Sequence, residues 1–414
     1  MSLLLYQLFL KLYHLGIRLT ARKGNKAQLW LEGRKDLFTT IAQTLQPTTL
    51  KRIWVHCASL GEFEQGRPII GRLKQENVEI VLTFFSPSGY EHQKNYDQAD
   101  YVFYLPLDHP EAARKWVSIV KPDLAIFIKY EFWYFYLKAL HDAQVPTFLA
   151  AATFRPSQPF FQSYGSLFRT MLRFYDHLFL QDPASQTLLA SIDITQNLTI
   201  AGDTRYDRVA TIAGQASEFP TIATWVAGHQ VLIAGSTWQE DEQLLQQLAF
   251  EKATNNKLIL APHEIDEPHI QHLLQLFPNT AVRYSQLSDE DIHKRVLIID
   301  NIGMLSSLYR YGTIAFVGGG FAKGGIHNIL EPAVYGLPVF FGPIYQKFVE
   351  ANEMVALQLA FSVSNAATMR QKMDELLSNE AAYDHLKHTI LAFMKEKQGA
   401  TTIIVNKALQ TLGK

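Results

Sequence analysis

One cysteine, Cys57, stands in 414 residues. No disulfide can form within such a chain, and the usage fits a reducing compartment. An excess of either charge is missing as well. Lys and Arg number 38 against 39 Asp and Glu, a formal net charge of −1, which leaves no basic footprint for a nucleic-acid partner. Charged residues make up only 19% and apolar residues 48%, which excludes a disordered chain and allows large buried cores. No low-complexity stretch appears. A chain of this length exceeds what one core supports, so two domains are expected.

An uninterrupted apolar run of about twenty residues, the minimum for a spanning helix, is also absent. The N-terminus comes nearest. MSLLLYQLFLKLYHLGIRLT is almost wholly apolar to Leu19 but is interrupted by Gln7, Lys11, His14 and Arg18, whose spacing of four, three and four puts them on one helical face. Lys and Arg inside a span are expensive. A signal peptide would carry its cations first and end in small residues; here Arg22, Lys23 and Lys26 follow the apolar part. Residues 1–26 are therefore expected to form a helix lying in a membrane surface with its cations at the head groups. The plainer alternative is a helix packed on its own domain with a thin polar stripe.

From about Lys51 the chain alternates short apolar runs with helical patterns. The runs are RIWVHCA, EIVLTFF, YVFYLP, DLAIFI, PTFLAAA, HLFLQD and LTIAGD, then QVLIAGS, NKLILAP, RVLIID, TIAFVGG, LPVFFG and AFSVS. Unbroken apolar strands between helices predict parallel sheets covered on both faces. The stretch TIAGQASEFPTIATW breaks the rhythm and reads as the connection. The expectation is two doubly wound α/β domains, residues 27–210 and 222–380. Residues 381–414 form a helical segment that could pack back on the first. Ligands of such sheets bind beyond the carboxyl ends of the strands.

Several familiar motifs are missing from those ends. FVGGGFAKGGIHNILEPA (residues 316–333) holds five glycines in eight positions. Yet it lacks the lysine of a P-loop, and Lys323 stands in the last glycine place of a dinucleotide fingerprint. A strand, an uncrowded backbone and a helix beginning near Glu331-Pro332 still suit a phosphate, with Glu331 able to accept from sugar hydroxyls; a tight strand–helix turn is the bland alternative. HCASLGEFEQGRP (residues 56–68) carries Glu62 at a helix start. There a carboxylate stays ionised and could take a proton from a hydroxyl, or simply cap the helix. Cys57-Ala-Ser-Leu-Gly61 misses the hydrolase elbow because cysteine replaces its first glycine, so a serine hydrolase using Ser59 is a rival. Glu131 follows the strand IFI, and Arg205 in AGDTRYD could hold a carboxylate or phosphate or form a surface ion pair. His263, Glu264, Asp266, Glu267 and His269 lack the HExxH spacing of a zinc helix. No metal is expected.

Together these blocks resemble a known family, the bacterial 3-deoxy-D-manno-octulosonic acid (Kdo) transferases. The resemblance runs through ASLGE, YLPLDHP, EFW, QDPAS, GDTRYD, AGSTW, LAP, DNIGML, FVGGGFAKGGIHNILEPA and GLPVFFGP. It implies a GT-B fold, two Rossmann-like domains facing across a cleft, on the cytoplasmic face of the cell inner membrane. It also implies transfer of Kdo from CMP-Kdo to a lipid A precursor by inverting displacement, without metal or cofactor. Carried over by motif, Glu62 looks like the base, while Glu131 and Arg205 match positions that stabilise the transition state. Pro262, His263, Ile302, Gly303 and Met304 match nucleotide-contacting blocks, as do Gly324, Gly325, Asn328, Ile329, Leu330 and Glu331. His263 stands where the family commonly has arginine, and Arg205 where it has lysine. GSTW replaces a commoner GSTH, so Trp238 receives no role. A non-catalytic nucleotide-sugar-binding membrane adaptor is the remaining alternative.

Overall fold

The computed structural model describes residues 3–22, 24–248 and 256–414. Lys23, one of the cations expected after the apolar run, lies outside them. The chain divides into two compact units, Met1–Arg208 with Lys397–Lys414, and Val209–Glu396.

The first unit is built on a seven-stranded parallel sheet. Its strands are β1 (Arg52–Cys57), β2 (Glu79–Phe84), β3 (Tyr101–Tyr104), β4 (Leu124–Ile128), β5 (Thr147–Ala152), β6 (His177–Leu180) and β7 (Leu198–Ile200), in spatial order β3-β2-β1-β4-β5-β6-β7. Every residue of β1, β2, β4 and β5 is buried, as continuous apolar strands require when helices cover both faces. The two faces still alternate. Ile53, Val55 and Cys57 enter one core with Leu124, Ile126 and Ile128; Trp54 enters the other with Ala125 and Phe127. His56 shares the Trp54 face by the same period of two. The helix Leu60–Lys74 lies close over the Cys57 face: a Cβ on Gly66 would stand 3.1 Å from both Cys57 Sγ and Ile128 Cγ1.

The second unit repeats the plan with β8 (Gln230–Thr237), β9 (Asn256–Pro262), β10 (Ala281–Arg283), β11 (Val296–Ile298), β12 (Ile314–Val317), β13 (Val339–Phe341) and β14 (Ala360–Ser362). They are ordered β10-β11-β9-β8-β12-β13-β14, again all parallel. Strand order reverses between β1 and β4 in the first unit and between β8 and β12 in the second. Those are the switch points where open parallel sheets leave a crevice for a ligand.

The structure adds detail to two expectations and changes a third. The stretch read as a connection is mostly helical, in Thr204–Gly214 and Pro220–Val226. In the latter, Ile222 and Trp225, three apart, bury into the second unit's core. The C-terminal segment is two helices serving two units. Glu380–Glu396 stays with the second, where Tyr383 donates to the Thr313 carbonyl at 2.8 Å. Ala400–Leu412 buries Ile404, Val405 and Ala408 against the first unit's sheet. Asp207 caps that helix, accepting from the Gly399 and Thr401 amides at 2.7 Å each. Finally, the helix expected at Glu331-Pro332 is one turn, Leu330–Ala333. So short an element aligns few peptide dipoles, so the macrodipole argument for a phosphate there falls away.

The N-terminal helix, Leu3–Thr20, packs on its own unit by one side and leaves an apolar side exposed. Tyr6 and Leu10 bury into the first unit's core, and Tyr6 Oη donates to Asp108 at 2.5 Å. Leu4, Leu5, Leu8, Phe9, Leu12, Leu15 and Leu19, on the opposite side, are each at least 50% exposed. Among the described residues no helix is long and apolar enough to cross a membrane.

Candidate active site

In the first unit, two acidic side chains follow the neighbouring strands β1 and β4, at the switch point. Glu62 is in the first turn of Leu60–Lys74, half-buried, and its Oε2 accepts from the Ser59 hydroxyl. Ser59 is the residue before the helix, and its extended backbone starts the helix in the usual way. Among the described residues its hydroxyl bonds a carboxylate and no imidazole, and the hydrolase reading loses its base. Glu131 sits in the loop after β4 and is 4% exposed. Its Oε2 takes His56 Nε2 at 3.0 Å and the Trp133 indole at 2.5 Å, and its carbonyl accepts from the Tyr175 hydroxyl. Both glutamates bear on one reporter. Burial pushes the Cys57 thiol well up, and the charges of Glu131, Glu62 and Glu64 add to it. Fully buried, that thiol is placed as a packing group and not as a nucleophile.

The backbone around this site is strained. Lys129 and Ala151, at the ends of β4 and β5, have φ of 73° and 56°, a left-handed conformation that costs side-chain-bearing residues about 1 kcal/mol or more. Ala151 marks a register shift between β5 and β6. Ser236, with φ of 54° at the end of β8, marks the equivalent irregularity in the second unit. Bulges at strand ends re-aim side chains beside sites.

Arg205 lies in the first turn of Thr204–Gly214 and turns back on Asp203, whose Oδ2 accepts from its Nε at 2.8 Å and Nη2 at 2.6 Å. Thr204, next to it, is fully buried and donates to the Gln65 carbonyl at 2.7 Å, which ties this turn to the Glu62 helix. A line of rings joins the N-terminal helix to Glu131: Tyr13 lies 6.2 Å from Phe85, which lies 4.6 Å from Trp133.

In the second unit the glycine loop leaves β12 beside β8. Much of its glycine content answers to packing. A Cβ on Gly318 would lie 2.3 Å from the Ser236 carbonyl oxygen, and one on Gly320 would lie 2.4 Å from the Gly342 nitrogen. Gly324 differs: nothing stands within 4 Å of its Cβ position, so its backbone can approach a ligand. Gly325, at φ 80°, turns the chain. Asn328 and Glu331 are partners, Nδ2 to Oε1 at 3.1 Å, and Asn328 Oδ1 accepts from the Leu330 amide at 3.2 Å. Ile329 and Leu330 are buried and shape the loop from beneath. Ile302 is 87% exposed, Gly303 turns with φ of 95° and Met304 is buried at the start of Leu305–Leu308.

Pro262 ends β9 and His263 follows it, exposed. His263 stacks on two neighbouring rings, Trp238 and His327, each 4.6 Å away at 29°. Trp238 Nε1 donates to His327 Nε2 at 3.1 Å. Burial and the neighbouring His263 hold His327 below the usual imidazole range, which suits its role as acceptor. Two further groups escaped the sequence reading. Asp241, 1% exposed, accepts on Oδ2 from the Gly319 amide at 2.8 Å and the Trp238 amide at 2.9 Å, so it pins the loop. Burial pushes its carboxyl up to about 6 against those two bonds. Glu242, fully buried, accepts from Thr237 and meets His269 Nε2, both at 3.0 Å. The signal was there: two acids directly after a strand, in a helix's first turn, are candidates for inward-facing carboxylates. The group that looked metal-like disperses. Asp266 caps Glu267–Leu276, Glu267 pairs with Arg283, and His269 with Glu242.

Two parallel, doubly wound units of this kind make the GT-B architecture. A UDP-GlcNAc 2-epimerase from Neisseria meningitidis, solved with UDP-GlcNAc bound, has the same fold: TM-score 0.58 at 15% identity, over 87% of this chain and all of that one. Residues 29–208 match the family model described as 3-deoxy-D-manno-octulosonic-acid transferase (kdotransferase). The transferase of that name from Aquifex aeolicus is 29% identical over 79% of this chain and 86% of its own length. The one from Haemophilus influenzae is 28% identical over 84% of each. The chain is thus similar to the Kdo transferases along most of its length and matches their family model over its first unit.

Proposed function

We propose that this enzyme transfers Kdo from CMP-Kdo to a hydroxyl of a lipid A precursor, at the cytoplasmic face of the inner membrane. The observation that carries the chemistry is the placing of Glu62 and Glu131 after two adjacent strands at the switch point, Glu62 in a helix's first turn and Glu131 held by His56 and Trp133. The acceptor hydroxyl oxygen attacks the anomeric carbon of Kdo as Glu62 takes its proton. The bond from that carbon to the phosphate oxygen breaks, CMP leaves with the electron pair, and the configuration inverts. Glu131 and Arg205 stabilise charge in the transition state. A base of this kind contributes roughly 10²–10⁴ in rate.

The nucleotide is held by the second unit. The open backbone at Gly324 approaches the phosphate where Gly325 turns the chain, Glu331 and Asn328 meet the ribose, and Pro262, His263 and residues Ile302 to Met304 line the base. His263, flanked by Trp238 and His327, offers a ring nitrogen in place of the family's arginine. No metal or cofactor is part of this scheme. The lipid arrives along the outward apolar face of Leu3–Thr20, with Lys11 and Arg18 beside it at the depth of the head groups.

The test is purified protein with CMP-Kdo and a tetra-acylated lipid A precursor, read by product mass. Addition of Kdo that is lost in E62Q, with CMP-Kdo binding retained, supports the scheme. Unmodified lipid under conditions where a relative is active overturns it.

A further inference from the structure

The face of β1 that carries Trp54 also carries His56, and no block of the family resemblance gives that histidine a task. His56 and Thr83 are fully buried, as is Trp54. The hydrogen bonds among them favour one direction, set by the shorter of two distances. The Trp54 indole can only donate, and it does so to Thr83 Oγ1 at 2.8 Å. The Thr83 proton then has two acceptors, His56 Nδ1 at 2.8 Å and the Val55 carbonyl at 3.4 Å. The shorter bond makes His56 Nδ1 an acceptor, so the ring proton sits on Nε2. It is directed at Glu131 Oε2, 3.0 Å away. Trp133 reaches the same oxygen from the other side at 2.5 Å, and Tyr175 holds the Glu131 carbonyl.

We propose that His56 is a positioning residue for the transfer. Trp54 and Thr83 set its tautomer, and the tautomer aims Glu131 by holding one carboxylate oxygen between two donors. The other oxygen is then presented in a single orientation. This rests on the reading that Glu131 acts in catalysis. A ring with its proton on Nδ1 would turn a lone pair toward the carboxylate and release it, which is why a hydroxyl one residue-layer away matters to the site.

The experiment measures kcat and KM for CMP-Kdo with the full chain. H56Q puts an amide donor near the place of Nε2, whereas H56N reaches only toward Thr83. T83V keeps shape and loses the hydroxyl, and T83S restores it. H56N is expected to lower kcat about thirtyfold with KM within twofold, and H56Q to recover all but about fivefold. T83V, the variant that disturbs packing least, should lose about tenfold, with T83S within threefold of the parent. Added to E131Q, H56N should cost less than twofold more. Equal losses in H56Q and H56N, an unaffected T83V, or H56N costing its full factor on top of E131Q would each overturn the relay. A fully active E131Q would instead remove the reading of Glu131 beneath it.

Discussion

Replacing Leu8 and Leu12 together by alanine tests the membrane-facing role of the N-terminal helix at little risk to the fold. Their side chains are 51% and 57% exposed, so roughly half of each is in contact with water. Alanine keeps helix propensity at its highest. Each substitution removes apolar surface worth about 2 kcal/mol if wholly buried, at about 0.8 kcal/mol per methylene, and about half of that is available to be newly buried by lipid. The pair should therefore weaken partitioning by about 2 kcal/mol, close to thirtyfold. The assay is co-sedimentation with vesicles of phosphatidylethanolamine and phosphatidylglycerol, beside thermal unfolding. An unchanged melting temperature with a partition coefficient about thirtyfold smaller is expected. Unchanged partitioning would refute the claim that this face meets lipid. So would a loss that tracks unfolding, since the face would then be part of the core.

Glu62→Gln should lower kcat by roughly 10²–10⁴ while isothermal titration finds CMP-Kdo binding intact; near-parental turnover would remove Glu62 as the base. Asp241 gives a pH signature. Its folded-state value of about 6 lies above the ordinary 3.8, so the native state holds the proton more tightly. Stability is then greatest below the unfolded value and declines as pH rises through the folded one. Between pH 4.5 and 7 the parent should lose about 2 kcal/mol that Asp241→Asn does not, and identical urea-unfolding pH slopes would contradict it. The glycine loop separates two roles. Gly320→Ala, driven into the Gly342 backbone, should destabilise by more than about 2 kcal/mol. Gly324→Ala, with open space around it, should leave the melting temperature alone and raise KM for CMP-Kdo. The reverse pattern would show that Gly324 is the packing glycine.

Much of this was legible from residue order. Buried parallel strands announce themselves as unbroken apolar runs, and all of those read from the sequence are strands in the two sheets. Glu62, Glu131 and the glycine loop were legible because each follows a strand, where such sheets carry chemistry. The groups that hold them were not. His56 and Thr83 lie within strands 27 residues apart, and in sequence each is one polar residue in an apolar run. Trp238 received no task from its motif, yet it stacks on His263 and donates to His327. The short turn at Leu330–Ala333 and the division of the C-terminal helices also escaped, since apolar spacing gives a helix's face but not the surface that face will meet.

Local pattern by itself determined the class of fold, the two-domain plan, the amphipathic N-terminal helix and the blocks that mark the family, because each depends on neighbours a few positions apart. Tertiary structure alone decided which glycines serve packing and which stay open, where Arg205 turns, and which oxygen of Glu131 is held. Those depend on distances between segments far apart in the chain. A hydrogen bond is made or lost within a few tenths of an ångström, and no spacing rule carries that precision.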